Sequence, residues 1–133
     1  MRKMRKMNEI LSETTMTVTH YTGGCHCGAV RYAVDVDLAG TIECNCSLCS
    51  KRGFIWSFTP ADRFTLTEGA QATRTYKFNK HVIDHRFCET CGVEAYALGS
   101  MPDGSAVAAI NVRCLDGVDL AQLQPKKVDG ASA

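Results

Sequence analysis

Eight cysteines carry most of the chemistry that this 133-residue sequence can support. Seven of them fall into three clusters: Cys25 and Cys27, then Cys44, Cys46 and Cys49, and then Cys88 and Cys91. In a reducing compartment, clustered thiols bind metal ions more often than they form disulfides. The spacing therefore predicts metal binding, and Zn²⁺ is the ion that most often takes several cysteine ligands in a tetrahedron.

The first and third clusters together have the form of one closed zinc site. Each is followed by a glycine, in the segments CHCG and CETCG. A glycine there permits the tight turn that points backbone N–H groups at thiolate sulfur. We therefore predict a structural Zn²⁺ whose binding contributes roughly 10 to 16 kcal/mol to folding. A thioredoxin-type redox pair is the competing interpretation of CxxC, but it requires a βαβ context that this sequence lacks.

The second cluster, in the segment ECNCSLC, can fill only three vertices of a tetrahedron. Cys114 or one of His26, His81 and His85 would close a second structural site, whereas water or a substrate would leave a catalytic one. Both alternatives are open on spacing alone. We expect His85 to be a structural histidine with its hydrogen bonds satisfied, and Cys114 to be a small buried residue after an apolar strand.

The ligand type indicates which chemistry an open second site would favour. Three thiolates leave the Zn²⁺ complex with a net charge of −1, which makes it a poor activator of water. Soft sulfur ligands suit an incoming thiol instead. A small thiol or a thiol adduct is therefore the expected substrate class.

Polar and aromatic residues near the second cluster are candidate substrate contacts. Lys51 and Arg52 offer cations for the carboxylates of a peptide-like thiol, and Phe54 or Trp56 offers an apolar wall. Asn45, between two of the cysteines, is a further candidate. The plainer interpretation is that the cations are solvated or balance thiolate charge and that the single tryptophan belongs to the core.

The elements that must position these residues repeat with period two. In AVRYAVDV, one face carries Val30, Tyr32, Val34 and Val36, which predicts a half-buried strand. Similar runs are FIWSF, RFTLT, TRTYKFN, IDHRF and VEAYAL, while AVAAINV is apolar enough for a strand covered on both faces. Turns are predicted at TEGA and MPDGS, and VDLAQL offers one or two helical turns at most. The sequence predicts a mainly β, antiparallel domain held together by zinc.

Length and composition favour one domain with one core, since 45% of the residues are apolar and 22% are charged. We expect a flexible N-terminal extension over residues 1–15, a zinc-binding β domain over 16–124 and a loose tail over 125–133. The basic N-terminus lacks the apolar stretch of a signal peptide, and no run approaches the length of a membrane span. A cytoplasmic protein without membrane contacts is therefore expected.

Charge argues against nucleic acid as a partner. Four of the 15 basic residues lie in the first seven positions, so the remaining 11 face 14 acidic residues, a balance of −3. Phosphate contacts require a basic patch that this body lacks. A homo-oligomer is compatible with the sequence.

The segments GGCHCGAVRY, CNCSLCSK, HRFCETCGVEAYA and NVRCLDG resemble, in order and spacing, the glutathione-dependent formaldehyde-activating enzyme family. CNCSLC, TYKFN and CLDG are closer to the branch of that superfamily named after centromere protein V. The resemblance implies an Mss4-like (β-tent) fold with two Zn²⁺ per chain, a structural one on Cys25, Cys27, Cys88 and Cys91 and a catalytic one on Cys44, Cys46 and Cys49.

The activity implied by the resemblance is a carbon–sulfur lyase step that interconverts S-hydroxymethylglutathione with glutathione and formaldehyde. The sequence departs from the usual family pattern CHC at Asn45, and an amide cannot transfer a proton as imidazole can. Two other classes compete with the enzyme. One is a binding module with two structural zinc sites, and the other is a zinc- or redox-responsive protein whose second cluster releases metal on oxidation.

Overall fold

The computed structural model describes residues 18–77 and 83–129, which form ten strands and one α-helix. The strands are β1 (Thr19–Gly24), β2 (Arg31–Val36), β3 (Ile42–Cys44), β4 (Trp56–Pro60), β5 (Phe64–Glu68), β6 (Thr73–Tyr76), β7 (Asp84–Cys88), β8 (Glu94–Ser100), β9 (Ala106–Asn111) and β10 (Lys126–Val128). The helix α1 spans Ser47–Arg52. Short 3-10 helices cover Leu38–Gly40, Ala61–Arg63, Ala70–Ala72, Val112–Cys114 and Leu120–Gln122.

The strands form two sheets. One has three strands in the order β1-β2-β5, and the other has seven in the order β10-β3-β4-β9-β8-β7-β6. Neighbouring strands are antiparallel except for β10, which runs parallel to β3. Each of the period-two runs contains a strand, and the prediction of a mainly β fold is confirmed. Among the described residues, no helix combines the length and the apolar character needed to cross a bilayer.

The predicted apolar face of β2 lies in the main core. Its members are at most 1% exposed: Val30, which precedes the strand, and Tyr32, Val34 and Val36 within it. Tyr32 packs its ring against Phe64 of β5 and Tyr96 of β8, with centroids 5.2 and 6.1 Å away. The three-stranded sheet thus covers one face of the seven-stranded sheet.

The central strand β9 is covered on both faces, as its sequence predicts. Ala108 and Ile110 point into the main core, while Val107 and Ala109 point into a second cluster of buried residues. That second cluster contains Trp56 and Phe58 of β4 together with two cysteines of the segment ECNCSLC. One sheet therefore supports the core on one side and the neighbourhood of the cysteine trio on the other.

The C-terminal segment differs from its prediction. Lys126–Val128 is not part of a loose tail, because it pairs with β3 and places Val128 beside Cys44. The backbone N–H of Asn45 donates to the Val128 carbonyl at 3.1 Å, and that of Lys126 to the Thr41 carbonyl at 2.9 Å. A three-residue strand with two lysines carries no periodic apolar signal, so only its main-chain partners reveal it. The predicted extension over residues 1–15 lies outside the described residues.

Gly69 provides a test of how closely the loops approach one another. Its φ is 93°, and an added Cβ would lie 2.2 Å from the Ala29 carbonyl oxygen and 2.8 Å from the Val30 Cα. Gly104 has a similar φ of 89° and open space around it. We expect Gly104→Ala to lose about 1 kcal/mol from left-handed backbone strain and Gly69→Ala to lose about 1–3 kcal/mol more from the clash. Urea denaturation measures both losses, and equal losses would contradict the close approach.

Candidate metal centres

Four cysteines from distant parts of the chain converge on one point. Cys25, Cys27, Cys88 and Cys91 have sulfur atoms that all lie within 4.8 Å of one another. The Cys27 sulfur is 3.7 Å from both the Cys25 and the Cys88 sulfur. Four sulfurs held tetrahedrally at about 2.3 Å from Zn²⁺ are separated by about 3.8 Å. The donor set and its spacing therefore fit zinc.

The two turns position these sulfurs as their sequences predict. Gly28, which ends CHCG, and Gly92, which ends CETCG, have φ values of 83° and 78°. Only glycine adopts such values easily. The backbone N–H of Val30 donates to the Cys25 sulfur at 3.3 Å, and that of Thr90 donates to the Cys88 sulfur at 3.4 Å. Such bonds orient each sulfur and stabilise its negative charge.

The thiols of this centre cannot all ionise easily without a cation. Desolvation raises the pKa of Cys91, but the N–H groups of Val93 and Cys27 and the neighbouring thiols lower it to about 6. The N–H of Ala29 lowers the pKa of Cys27, yet desolvation and the adjacent sulfurs raise it to about 11. Neighbouring sulfurs thus stabilise one thiolate at the expense of another. A divalent cation among them removes this conflict and favours deprotonation of the whole set.

The second centre is built on one short helix. Cys44 is the last residue of β3, Cys46 is the N-cap of α1, and Cys49 lies in its first turn. Their sulfurs lie within 4.8 Å of one another. The N–H of Cys49 donates to the Cys46 sulfur at 3.4 Å, so the cysteine acts as the helix cap. The buried Trp56 donates its indole N–H to the Cys49 sulfur at 3.4 Å.

The side chains proposed to close the second centre lie elsewhere, as far as the structure describes them. No further histidine, cysteine or carboxylate joins the trio within 4.8 Å among residues 18–77 and 83–129. Cys114 is half-buried near the first centre, where burial and the charges of Cys25 and Cys91 raise its pKa to about 12. His26 is exposed in the CHCG turn, and His81 lies outside the described residues.

A buried charged network joins the helix of the second centre to the sheet. Glu94 of β8 has a fully buried side chain that accepts hydrogen bonds from Arg52 of α1 and from His85 Nδ1, the latter at 2.6 Å. His85 also packs beside Trp56, with ring centroids 6.4 Å apart. This contact fits the structural role expected of His85. Arg52, a candidate substrate contact from the sequence, is instead paired with Glu94.

A cavity of about 480 Å³ adjoins the second centre. Its lining includes Cys44, Cys49, Asn45 and Phe54, together with Arg113, Lys127 and Asp129. Phe54 and Asn45, both candidate substrate contacts from the sequence, therefore line this cavity. Trp56 belongs to the core at 2% exposure, and the exposed Lys51 is not among the described lining residues. The C-terminal strand contributes to the lining although Lys126–Val128 has no apolar period that would predict a strand.

The fold and the two sulfur clusters define a small β domain with a four-cysteine and a three-cysteine cluster that could each hold a metal ion. The chain belongs to the glutathione-dependent formaldehyde-activating enzyme family, whose sequence model matches residues 20–129. A crystal structure of a Rhodobacter sphaeroides protein is similar to it, with 30% sequence identity and a TM-score of 0.71. The match covers 80% of this chain and 97% of that one. The resemblance seen in the sequence is confirmed.

The two centres are expected to respond differently to loss of a ligand. Cys91→Ser removes one of the four sulfurs that connect distant turns, so we expect loss of soluble folded protein. Cys46→Ser should leave a folded protein with one fewer zinc ion, because serine is also a good helix cap. Zinc quantification and circular dichroism measure both outcomes. If Cys46→Ser unfolds the domain as severely, the second centre is structural.

The buried network gives a prediction of its own. Glu94→Gln removes the charge of the buried partner while Arg52 is still partly solvated, so we expect it to lower the free energy of unfolding by about 1–3 kcal/mol. The matched control is Glu89→Gln, since Glu89 pairs with Arg74 at the surface and its loss should cost no more than about 1 kcal/mol. Urea denaturation of both variants measures the difference. Similar losses would show that Glu94 contributes no more than a surface pair.

Proposed function

We propose that this protein is a zinc-dependent carbon–sulfur lyase that acts on a thiol adduct such as S-hydroxymethylglutathione. Membership of the family supports a glutathione- and formaldehyde-related activity. The observation that carries the proposal is the three-sulfur cluster beside a cavity of about 480 Å³, a volume typical of small-molecule sites. A purely structural centre has no need of such a cavity.

The donor set of the second centre supports the choice of a sulfur substrate. Cys44, Cys46 and Cys49 would hold one Zn²⁺, which supplies Lewis acidity suited to a soft sulfur ligand. The backbone N–H of Cys49 and the indole N–H of Trp56 disperse charge on these thiolates and orient them. Phe54, 4% exposed, excludes water from one wall. The cofactor requirement so proposed is two Zn²⁺ per chain.

The lyase step conserves atoms and charge without an added reagent. The carbon–sulfur bond of the adduct breaks and its electron pair passes to sulfur, while the hydroxyl loses its proton and the carbon becomes the carbonyl of formaldehyde. The proton released from the hydroxyl is taken up by the thiolate. Asn45 donates its side-chain N–H to the Asp129 carboxylate at 3.1 Å and so positions that carboxylate at the cavity. An amide cannot transfer a proton in this step as imidazole can.

The test is the rate at which S-hydroxymethylglutathione exchanges with glutathione and formaldehyde, measured by NMR exchange spectroscopy. We expect the zinc-loaded protein to accelerate the exchange, and Cys46→Ser to return it to the spontaneous rate while the fold is retained. Cys114→Ser is the matched control, because Cys114 lies near the other centre. Its rate should equal that of the unmodified protein.

Two results would overturn the proposal. Exchange at the spontaneous rate in a protein that holds two zinc ions would favour a binding module. Acceleration that survives Cys46→Ser would assign the reaction to a different part of the chain. Zinc content measured on the same samples separates these results from simple loss of metal.

A further inference from the structure

The cavity beside the second centre carries charges that the proposed chemistry does not use. Two cations, Arg113 and Lys127, lie in its walls together with the carboxylates of Glu43 and Asp129. None of these side chains is a sulfur ligand. Charges of both signs in one cavity can bind the two charged ends of a zwitterion.

Arg113 is held in place by the main chain. Its Nε donates to the Gly53 carbonyl at 2.8 Å, and Gly53 is the C-cap of α1, the helix that carries Cys49. The preceding residue, Val112, is fully buried and its N–H donates to the Ile55 carbonyl at 2.8 Å. The guanidinium is therefore anchored to the same helix that positions the sulfur trio.

The terminal nitrogens of Arg113 are suited to a ligand carboxylate. No salt bridge to Arg113 is present within residues 18–77 and 83–129, whereas Arg52 is paired with the buried Glu94. With Nε bound to Gly53, the two terminal amino groups can bind a carboxylate in bidentate fashion.

Lys127 adds a second cation from the C-terminal strand. In the parallel register it lies opposite Glu43, the residue before Cys44. Pairing of β10 with β3 thus brings an ammonium group to the wall of the cavity. Asp129 follows the strand, and its carboxylate is fixed by Asn45.

We propose, on the basis of the proposed function, that the ligand of this cavity is a zwitterionic peptide thiol or amino-acid thiol. Arg113, assisted by Lys127, binds its carboxylates. Glu43 and Asp129 face its ammonium group. A three-thiolate zinc complex has a net charge of −1 and repels carboxylates. Cations elsewhere in the lining of the same cavity therefore orient the ligand so that its sulfur end faces the trio. The specificity determinants of the cavity are Arg113 and Lys127, and Lys51 and Arg52 have no part in it.

The experiment is calorimetric titration of the zinc-loaded protein with glutathione and with glutathione diethyl ester, which keeps the thiol but lacks both carboxylates. We expect the unmodified protein to bind glutathione about tenfold or more tightly than the ester. Arg113→Gln should weaken glutathione binding by a similar factor and leave ester binding unchanged. Lys127→Gln should have a smaller effect, and Arg113→Lys should recover part of the loss.

Arg63→Gln is the matched control, since Arg63 is an exposed arginine outside the described walls of the cavity. It should bind both ligands as the unmodified protein does. Zinc content and melting temperature are measured on each variant. If Arg113→Gln weakens the binding of glutathione and of the ester equally, Arg113 has a structural role and the proposal is overturned. The proposal is also overturned if Lys51→Gln, and not Arg113→Gln, loses the discrimination between glutathione and the ester.

The same variants separate this inference from the proposed lyase activity. In the exchange assay, Arg113→Gln should raise KM for the glutathione adduct about tenfold while changing kcat by less than about twofold, and leave the adduct of 2-mercaptoethanol unaffected. A lyase that exchanges both adducts alike in every variant would retain the function and overturn the role of Arg113. Selective glutathione binding without exchange would retain the role of Arg113 and overturn the lyase.

Discussion

The rest of the structure depends on one constraint: four cysteine sulfur atoms lie within 4.8 Å of one another, around a volume that fits a single cation. Cys25 and Cys27 follow β1 of the three-stranded sheet, whereas Cys88 ends β7 of the seven-stranded sheet and Cys91 lies in the turn after it. The distance of 3.7 Å between the Cys27 and Cys88 sulfurs therefore joins the end of one sheet's strand to the end of the other's. A cation would relieve the repulsion between adjacent thiolates, and the glycine turns aim N–H groups at the sulfurs. The four-cysteine cluster thus links two turns of the chain, since Cys27 and Cys88 lie 61 residues apart in the sequence.

The second centre is local where the first is long-range. Its three sulfurs lie within six residues of sequence, between the end of β3 and the first turn of α1. A helix of six residues is too short to be stable alone, so its position depends on tertiary contacts. Those contacts are the Arg52–Glu94 pair at its C-terminal end and the indole N–H of Trp56 at Cys49. The sheet, through β4 and β8, therefore holds the trio in one arrangement.

The chemistry of the cavity follows from where three short segments meet. The cysteine helix supplies the sulfurs and Phe54 closes one wall, while Arg113 and the C-terminal strand supply charge. None of these segments forms a cavity by itself. Their arrangement places soft ligands and cations in the lining of one cavity, and a thiol that carries carboxylates requires both.

By itself, the sequence determined the cysteine clusters, the glycine turns and most strands, because these features are local: ligand spacing, a positive φ and a two-residue apolar period all act over a few neighbouring residues. Tertiary structure decided which cations reach the cavity. Arg52 and Arg113 are chemically alike, and only the position of the buried Glu94 commits the first to an internal pair. Similarly, Lys126–Val128 has no apolar pattern, and its strand exists because β3 offers unpaired main-chain groups. Long-range pairing of this kind depends on the partner, so no short stretch of sequence encodes it.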